Sequence, residues 1–124
     1  MSWFCVGLDL DEYVTWSDEE VAYVGLKTRE LLIKLAKFPI PTIAVMEGAA
    51  IGCGAELALS CDFRIGNKEA MFSFPEARLG LIPTVAVQRL PRIVGRVQAK
   101  ELIFTGRRVN SDEAFRIGLL DFCV

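Results

Sequence analysis

The sequence contains no histidine, which removes Ser-His-Asp and Cys-His relays from this segment and leaves carboxylates as the main groups able to move a proton near neutral pH. The same gap rules out a mixed Cys/His zinc site, and the four cysteines, Cys5, Cys53, Cys61 and Cys123, share no metal-type spacing. No metal is therefore predicted, and the unclustered thiols fit a reducing compartment. Charged residues, glycine or proline break every apolar stretch before the roughly 20 residues needed to cross a bilayer, so a soluble chain with no membrane partner is expected. Basic charge is not in excess either, with 14 Lys and Arg against 16 Asp and Glu. Nothing here draws a phosphate backbone, and nucleic acid is a poor partner. Met1 runs straight into strand-like Trp3 to Val6, without a basic leader or an apolar signal core.

What is present suits one small globular domain: 124 residues, 52% hydrophobic and 24% charged. Trp3 to Val6 reads as a strand broken by Gly7, with Leu8-Asp9-Leu10-Asp11 leading into a polar turn. Ser17 and Glu20 form a capping-box pattern, and Val24, Thr28, Leu31, Leu32 and Leu35 recur at helical spacing up to Lys37. Pro39-Ile40-Pro41 ends that helix, and Thr42 to Met46 reads as a buried strand. The small residues from Gly48 onward open a helix that runs through about Ser60. Phe63 to Ile65 and Met71 to Phe74 read as strands, and Pro75-Glu76 suits a first helical turn. Beyond Pro83 helices are expected over Val87 to Val94, interrupted at Pro91, then Val97 to Phe104, then Ser111 to Ile117 behind an Asn110/Glu113 capping box. Leu119 to Val124 returns to strand. The alternation predicts an α/β layered fold with parallel strands. Both ends begin or stop in apolar strand-like sequence, so the chain reads as cut at each end.

Two features carry chemistry. The Gly/Ala-rich run before Glu56 would let a ligand approach backbone N–H groups at a helix start, where developing negative charge meets unpaired donors; close helix packing explains the same residues equally well. Glu56 sits among Ala55, Leu57, Ala58 and Leu59, where an unpartnered carboxylate is costly to bury. Glu76 follows an aromatic-rich strand, and the two could work as acid and base if the fold joins them, the alternative being a surface glutamate at a helix start.

At these residues the chain resembles the enoyl-CoA hydratase/isomerase, or crotonase, family. Phe4-Cys5-Val6-Gly7-Leu8-Asp9-Leu10 is similar to the family's first substrate-binding segment, and Pro41 to Val45 through Gly48, with Gly52-Cys53-Gly54-Ala55-Glu56-Leu57-Ala58-Leu59 and Cys61-Asp62, to its longer second one. Phe74-Pro75-Glu76, Leu79 to Pro83, Gln88 to Pro91, Ala99 to Leu102, Phe104 to Arg107, Glu113-Ala114 and Gly118-Leu119 follow in the family's order. The wording of Lys100 to Arg108 is similar to the subgroup of methylglutaconyl-CoA hydratases and enoyl-CoA hydratase domain-containing proteins.

The resemblance implies a crotonase-like spiral of β-β-α units. Residues 1–124 would be a partial acyl-CoA-binding domain, a central portion without the family's N-terminal strands and C-terminal trimerisation helices. It implies catalytic glutamates at Glu56 and Glu76, and an oxyanion hole from the backbone N–H groups of Leu8 and Cys53. Val6, Asp9, Leu10, Gly52, Pro75 and Thr84 would contact the substrate. Coenzyme A would arrive as part of that substrate, with no separate cofactor. A homotrimer or hexamer in the mitochondrial matrix, or the cytoplasm, is implied by analogy. One departure stands out: where the family runs through a glycine-rich loop, Pro83-Thr84-Val85-Ala86-Val87-Gln88 is one residue shorter and holds no glycine. Hydration of a 2-enoyl-CoA is the leading expectation, with enoyl-CoA isomerisation or non-catalytic acyl-CoA binding as alternatives.

Overall fold

The computed structural model describes residues 2–124. Seven short strands and six helices alternate: β1 Trp3–Cys5, α1 Leu10–Tyr13, α2 Asp18–Ala36, β2 Ile43–Met46, β3 Ala49–Ile51, α3 Cys53–Ser60, β4 Phe63–Gly66 and β5 Met71–Ser73. A 3-10 turn at Pro75–Leu79 follows, then α4 Ala86–Val94, α5 Arg96–Thr105, β6 Arg108–Asn110, α6 Ser111–Ile117 and β7 Phe122–Cys123. One sheet has the order β1-β3-β5-β6 and the other β2-β4-β7. The pairs β2-β3 and β4-β5 each place one strand in each sheet before the chain turns helical, which is the β-β-α spiral. Strands pair in parallel except β5 with β6, which run antiparallel with Phe72 opposite Val109.

The core lies among the two sheets and α3 to α6, with Phe72, Phe74, Leu90, Leu102, Val109, Leu119 and Leu120 buried together. Burial of each such side chain contributes on the order of 1.5–3 kcal/mol. Buried Arg64 ties the second sheet to the chain's last turn. Its guanidinium donates to the carbonyls of Leu119 at 2.7 Å and Cys61 at 3.2 Å and pairs with Asp121 at 2.9 Å.

Several sequence expectations change. Leu8 to Asp11 is no plain turn, because the Asp9 carboxylate accepts the N–H groups of Asp11 and Glu12 and starts α1. Ala49 to Ile51 extend as β3, and the helix starts only at Cys53. Tertiary crowding decides this: a side chain on Gly54 would run into the Cys5 carbonyl, and one on Gly48 into the Ser2 backbone, so small residues let β1 lie against β3 and α3. The strand at Ile43–Met46 is buried on one face, with Ile43 and Val45 exposed. Helix α4 runs through Pro91 without a break. The capping box at Asn110 is half formed, since Asn110 accepts the Glu113 N–H while the Glu113 carboxylate pairs with Arg107 at 2.7 Å. Strand β6, which the sequence reading lacks, takes the residues between α5 and α6, and the expected strand at Leu119 to Val124 contracts to Phe122–Cys123 because Leu119 and Leu120 turn inward.

Candidate active site

Helix α3 carries Glu56 one turn in, aimed toward the segment after Pro83, and the residue is 2% exposed. Val85 and Ala86 donate their backbone N–H groups to Oε1 at 2.6 and 2.8 Å, and the Thr84 hydroxyl donates to Oε2 at 2.7 Å. Helix α4 has no local side-chain cap, so Glu56 supplies the acceptor its first donors need. Three donors face a group with about four acceptor sites, which leaves one lone pair free on Oε2.

Glu76 is the opposite case. It sits in the 3-10 turn that Pro75 begins, its Oε2 is buried, and that oxygen has no hydrogen-bond partner. Burial pushes its carboxyl up to about 7; its own backbone N–H pulls the other way, and neighbouring Glu56 adds to the rise. Oε1 lies 3.3 Å from where a side chain on Gly52 would begin, and Gly52 itself has φ +56° and ψ −124°, a conformation open to glycine. Gly52 is thus the floor beneath Glu76.

Both glutamates line one cavity of about 280 Å³. Val6, Leu8, Leu10, Gly52, Cys53, Pro75 and Thr84 line it too. Asp9 does not; its carboxylate is engaged in capping α1. Gly7, at φ +85°, lets the Val6 to Leu8 segment pass close to the Cys53 amide, with an added side chain meeting that nitrogen at 3.2 Å. Cys53 is the first residue of α3, so its N–H has no carbonyl within the helix to bond. Cys53 lines the same cavity, and its thiol is held protonated: burial, then Glu56, Cys5 and Glu76, push it up to about 11. In chemical terms the cavity combines a fixed hydrogen-bond acceptor, a carboxyl poised near neutrality and a helix-start amide.

Sequence reasoning missed the wall opposite this chemistry. Tyr13, Val21, Val24, Gly25 and Thr28 line the cavity, joined by Leu79, Leu81 and Ile82. The periodic stripe on α2 was a visible signal, but it reads as core; in the structure only Leu32 of α2 is buried, Leu35 is half-buried, Leu31 is exposed, and Val24 and Thr28 line the cavity. No helix among the described residues is long and apolar enough to cross a membrane.

Known proteins share much of this sequence and fold. A family model described as enoyl-CoA hydratase/isomerase matches residues 2–124. The chain is 48% identical over 122 residues to the mouse mitochondrial enoyl-CoA hydratase domain-containing protein 2, covering 98% of this chain and 41% of that protein. It is 47% identical over 122 residues to a probable mitochondrial enoyl-CoA hydratase 2 of Arabidopsis thaliana, covering 98% of this chain and 40% of that one. The crystal structure of an enoyl-CoA hydratase from Bacillus anthracis superposes with a TM-score of 0.90 at 40% identity, covering 97% of this chain and 47% of that one. The chain thus spans about two fifths of the length of the curated relatives it matches.

Proposed function

The chain belongs to the enoyl-CoA hydratase/isomerase family, and from that premise we propose that it carries the reaction centre of a hydratase that adds water across the 2,3 double bond of a 2-enoyl-CoA. The observation that carries the reading is the contrast between the two cavity carboxylates: Glu56 held by three donors, Glu76 with its buried Oε2 unpartnered and its carboxyl poised near neutrality. An acid and a base for one substrate need such unlike surroundings.

In the proposed reaction the thioester oxygen accepts hydrogen bonds from the backbone N–H groups of Leu8 and Cys53. Water, oriented by the free lone pair of Glu56 Oε2, attacks the β-carbon, and its released proton passes to Glu56. The double-bond electrons move to the α-carbon, where charge spreads into the thioester enolate, and the Glu76 proton then closes the α C–H bond. Transfer of a proton from Glu56 to Glu76 restores the starting state, so the sum is redox-neutral and consumes one water. Coenzyme A is part of the substrate. By analogy with the relatives, a trimeric or hexameric mitochondrial enzyme is proposed.

Isomerisation is the second reading, favoured by the Thr84 hydroxyl, which occupies a Glu56 position that a water could otherwise take. The test is incubation of the full protein with crotonyl-CoA and with a 3-enoyl-CoA. A 3-hydroxyacyl product, lost in both Glu56→Gln and Glu76→Gln, is expected. Double-bond migration without hydroxyacyl product would replace hydratase by isomerase, and binding without turnover would remove both.

A further inference from the structure

Gly25 lies in the interior of α2, where glycine costs roughly 0.5–1 kcal/mol relative to alanine. Such a residue usually has a conformational or a packing reason. Neither holds here. Gly25 is not among the glycines with positive φ, so its backbone suits any L-residue. Nor does packing require it, because a side chain built there meets no atom of the chain within 4 Å. By contrast, the glycines that do serve packing in this fold, Gly48, Gly54 and Gly66, would each clash at once.

What Gly25 does face is the cavity of Glu56 and Glu76. It shares that face of α2 with Val21, Val24 and Thr28, at the spacing of a helical stripe, and no charged side chain joins them on it. A wall without charge is suited to the hydrocarbon part of an acyl-CoA and poorly suited to its phosphates. We infer that Gly25 is a specificity-determining residue, left without a side chain so that an acyl chain longer than crotonyl can run along α2. The inference rests on the acyl-CoA reading above and deepens it, naming a thioester with an acyl chain longer than crotonyl as the substrate class.

The experiment compares the full protein with its Gly25→Ala and Gly25→Leu variants on crotonyl-CoA and 2-decenoyl-CoA, with melting curves beside the kinetics. Gly25→Ala is expected to raise the melting temperature, because alanine is the better helix former and nothing obstructs its methyl. Gly25→Leu is expected to lower the ratio of kcat/KM for decenoyl-CoA to that for crotonyl-CoA about tenfold or more. Equal losses on both substrates would overturn the inference, as would a lower melting temperature for Gly25→Ala, which would mean that another segment packs on the glycine. Calorimetric binding of butyryl-CoA and decanoyl-CoA separates this inference from the reaction assignment. If wild type binds both without turnover, the hydratase reading fails, yet Gly25→Leu must still lose decanoyl-CoA binding selectively. If it does not, the inference fails on its own.

Discussion

The hydroxyl of Thr84 donates to Oε2 of Glu56 at 2.7 Å, joining two residues 28 positions apart in the chain. The loop that lacks the family's glycines therefore contributes a side chain to the site. The bond fixes the carboxylate about its last torsion, so that the oxygen with a free lone pair points in one direction.

Replacing Thr84 by the nearly isosteric Val removes that donor and leaves part of a buried carboxylate without a partner. A stability loss of about 1–3 kcal/mol is expected. Loss of orientation is expected to lower kcat by about 10- to 100-fold, with KM for the enoyl-CoA nearly unchanged because the cavity walls remain. Thr84→Ser restores the hydroxyl and is expected to recover most of the rate. Steady-state kinetics on the three proteins check this; equal kcat in wild type and Thr84→Val would show that the two backbone donors suffice.

The raised carboxyl of Glu76 makes stability depend on pH in a defined direction. Its folded pKa of about 7 exceeds the ordinary 4.5, so between those values the folded chain holds a proton that the unfolded chain has lost. Stability therefore falls as pH rises through that window, and the penalty is complete above it. Glu76→Gln carries no ionisable group there. Its melting temperature is expected to match that of wild type near about pH 4 and to exceed it increasingly up to about pH 8. Melting curves that run parallel across this range would remove the assignment of an elevated pKa.

Cys53 stands beside the proposed thioester site yet is expected to be unreactive. With its thiol near 11 rather than 9.0, its thiolate fraction near neutrality is roughly 100-fold below that of an ordinary cysteine. Iodoacetamide labelling of the native protein, mapped by mass spectrometry, is expected to reach Cys53 far more slowly than in the unfolded chain. Rapid native labelling at Cys53 would show that the thiol is neither buried nor repelled by the carboxylates.

Part of this was legible in the sequence because it depends on local chemistry. The Ser17/Glu20 capping box forms as the spacing predicts, with Ser17 bonding the Glu20 N–H and the Glu20 carboxylate bonding that of Ser17. The isolation of Glu56 among apolar neighbours signalled that it required a partner, and the missing histidine had already directed attention to carboxylates. Glu76 was named beside it from its place after an aromatic-rich strand, Gly52 and Thr84 from family wording, and the structure gathers all three with Glu56 in one cavity.

Other features depend on what lies far along the chain. Nothing near Glu56 announces that its partners are the Thr84 hydroxyl and two amides at the start of α4, because those donors arrive only when the chain folds back. Asp9 was read as a substrate contact, but the local N–H groups of Asp11 and Glu12 engage it first. Ala49 to Ile51 suit either helix or strand by composition, and pairing with β1 and β5 on either side decides for strand. The stripe on α2 is the same apolar period whether it meets a core or an open cavity, since periodicity shows which residues share a face and not what that face meets. The sequence by itself thus determined the family, the helix with its cap and the identity of the carboxylate pair, all set by residue type and short-range spacing. Only the tertiary structure decided that Glu56 receives three donors while Oε2 of Glu76 is buried without one, because a buried group's hydrogen-bond partners are chosen by long-range packing.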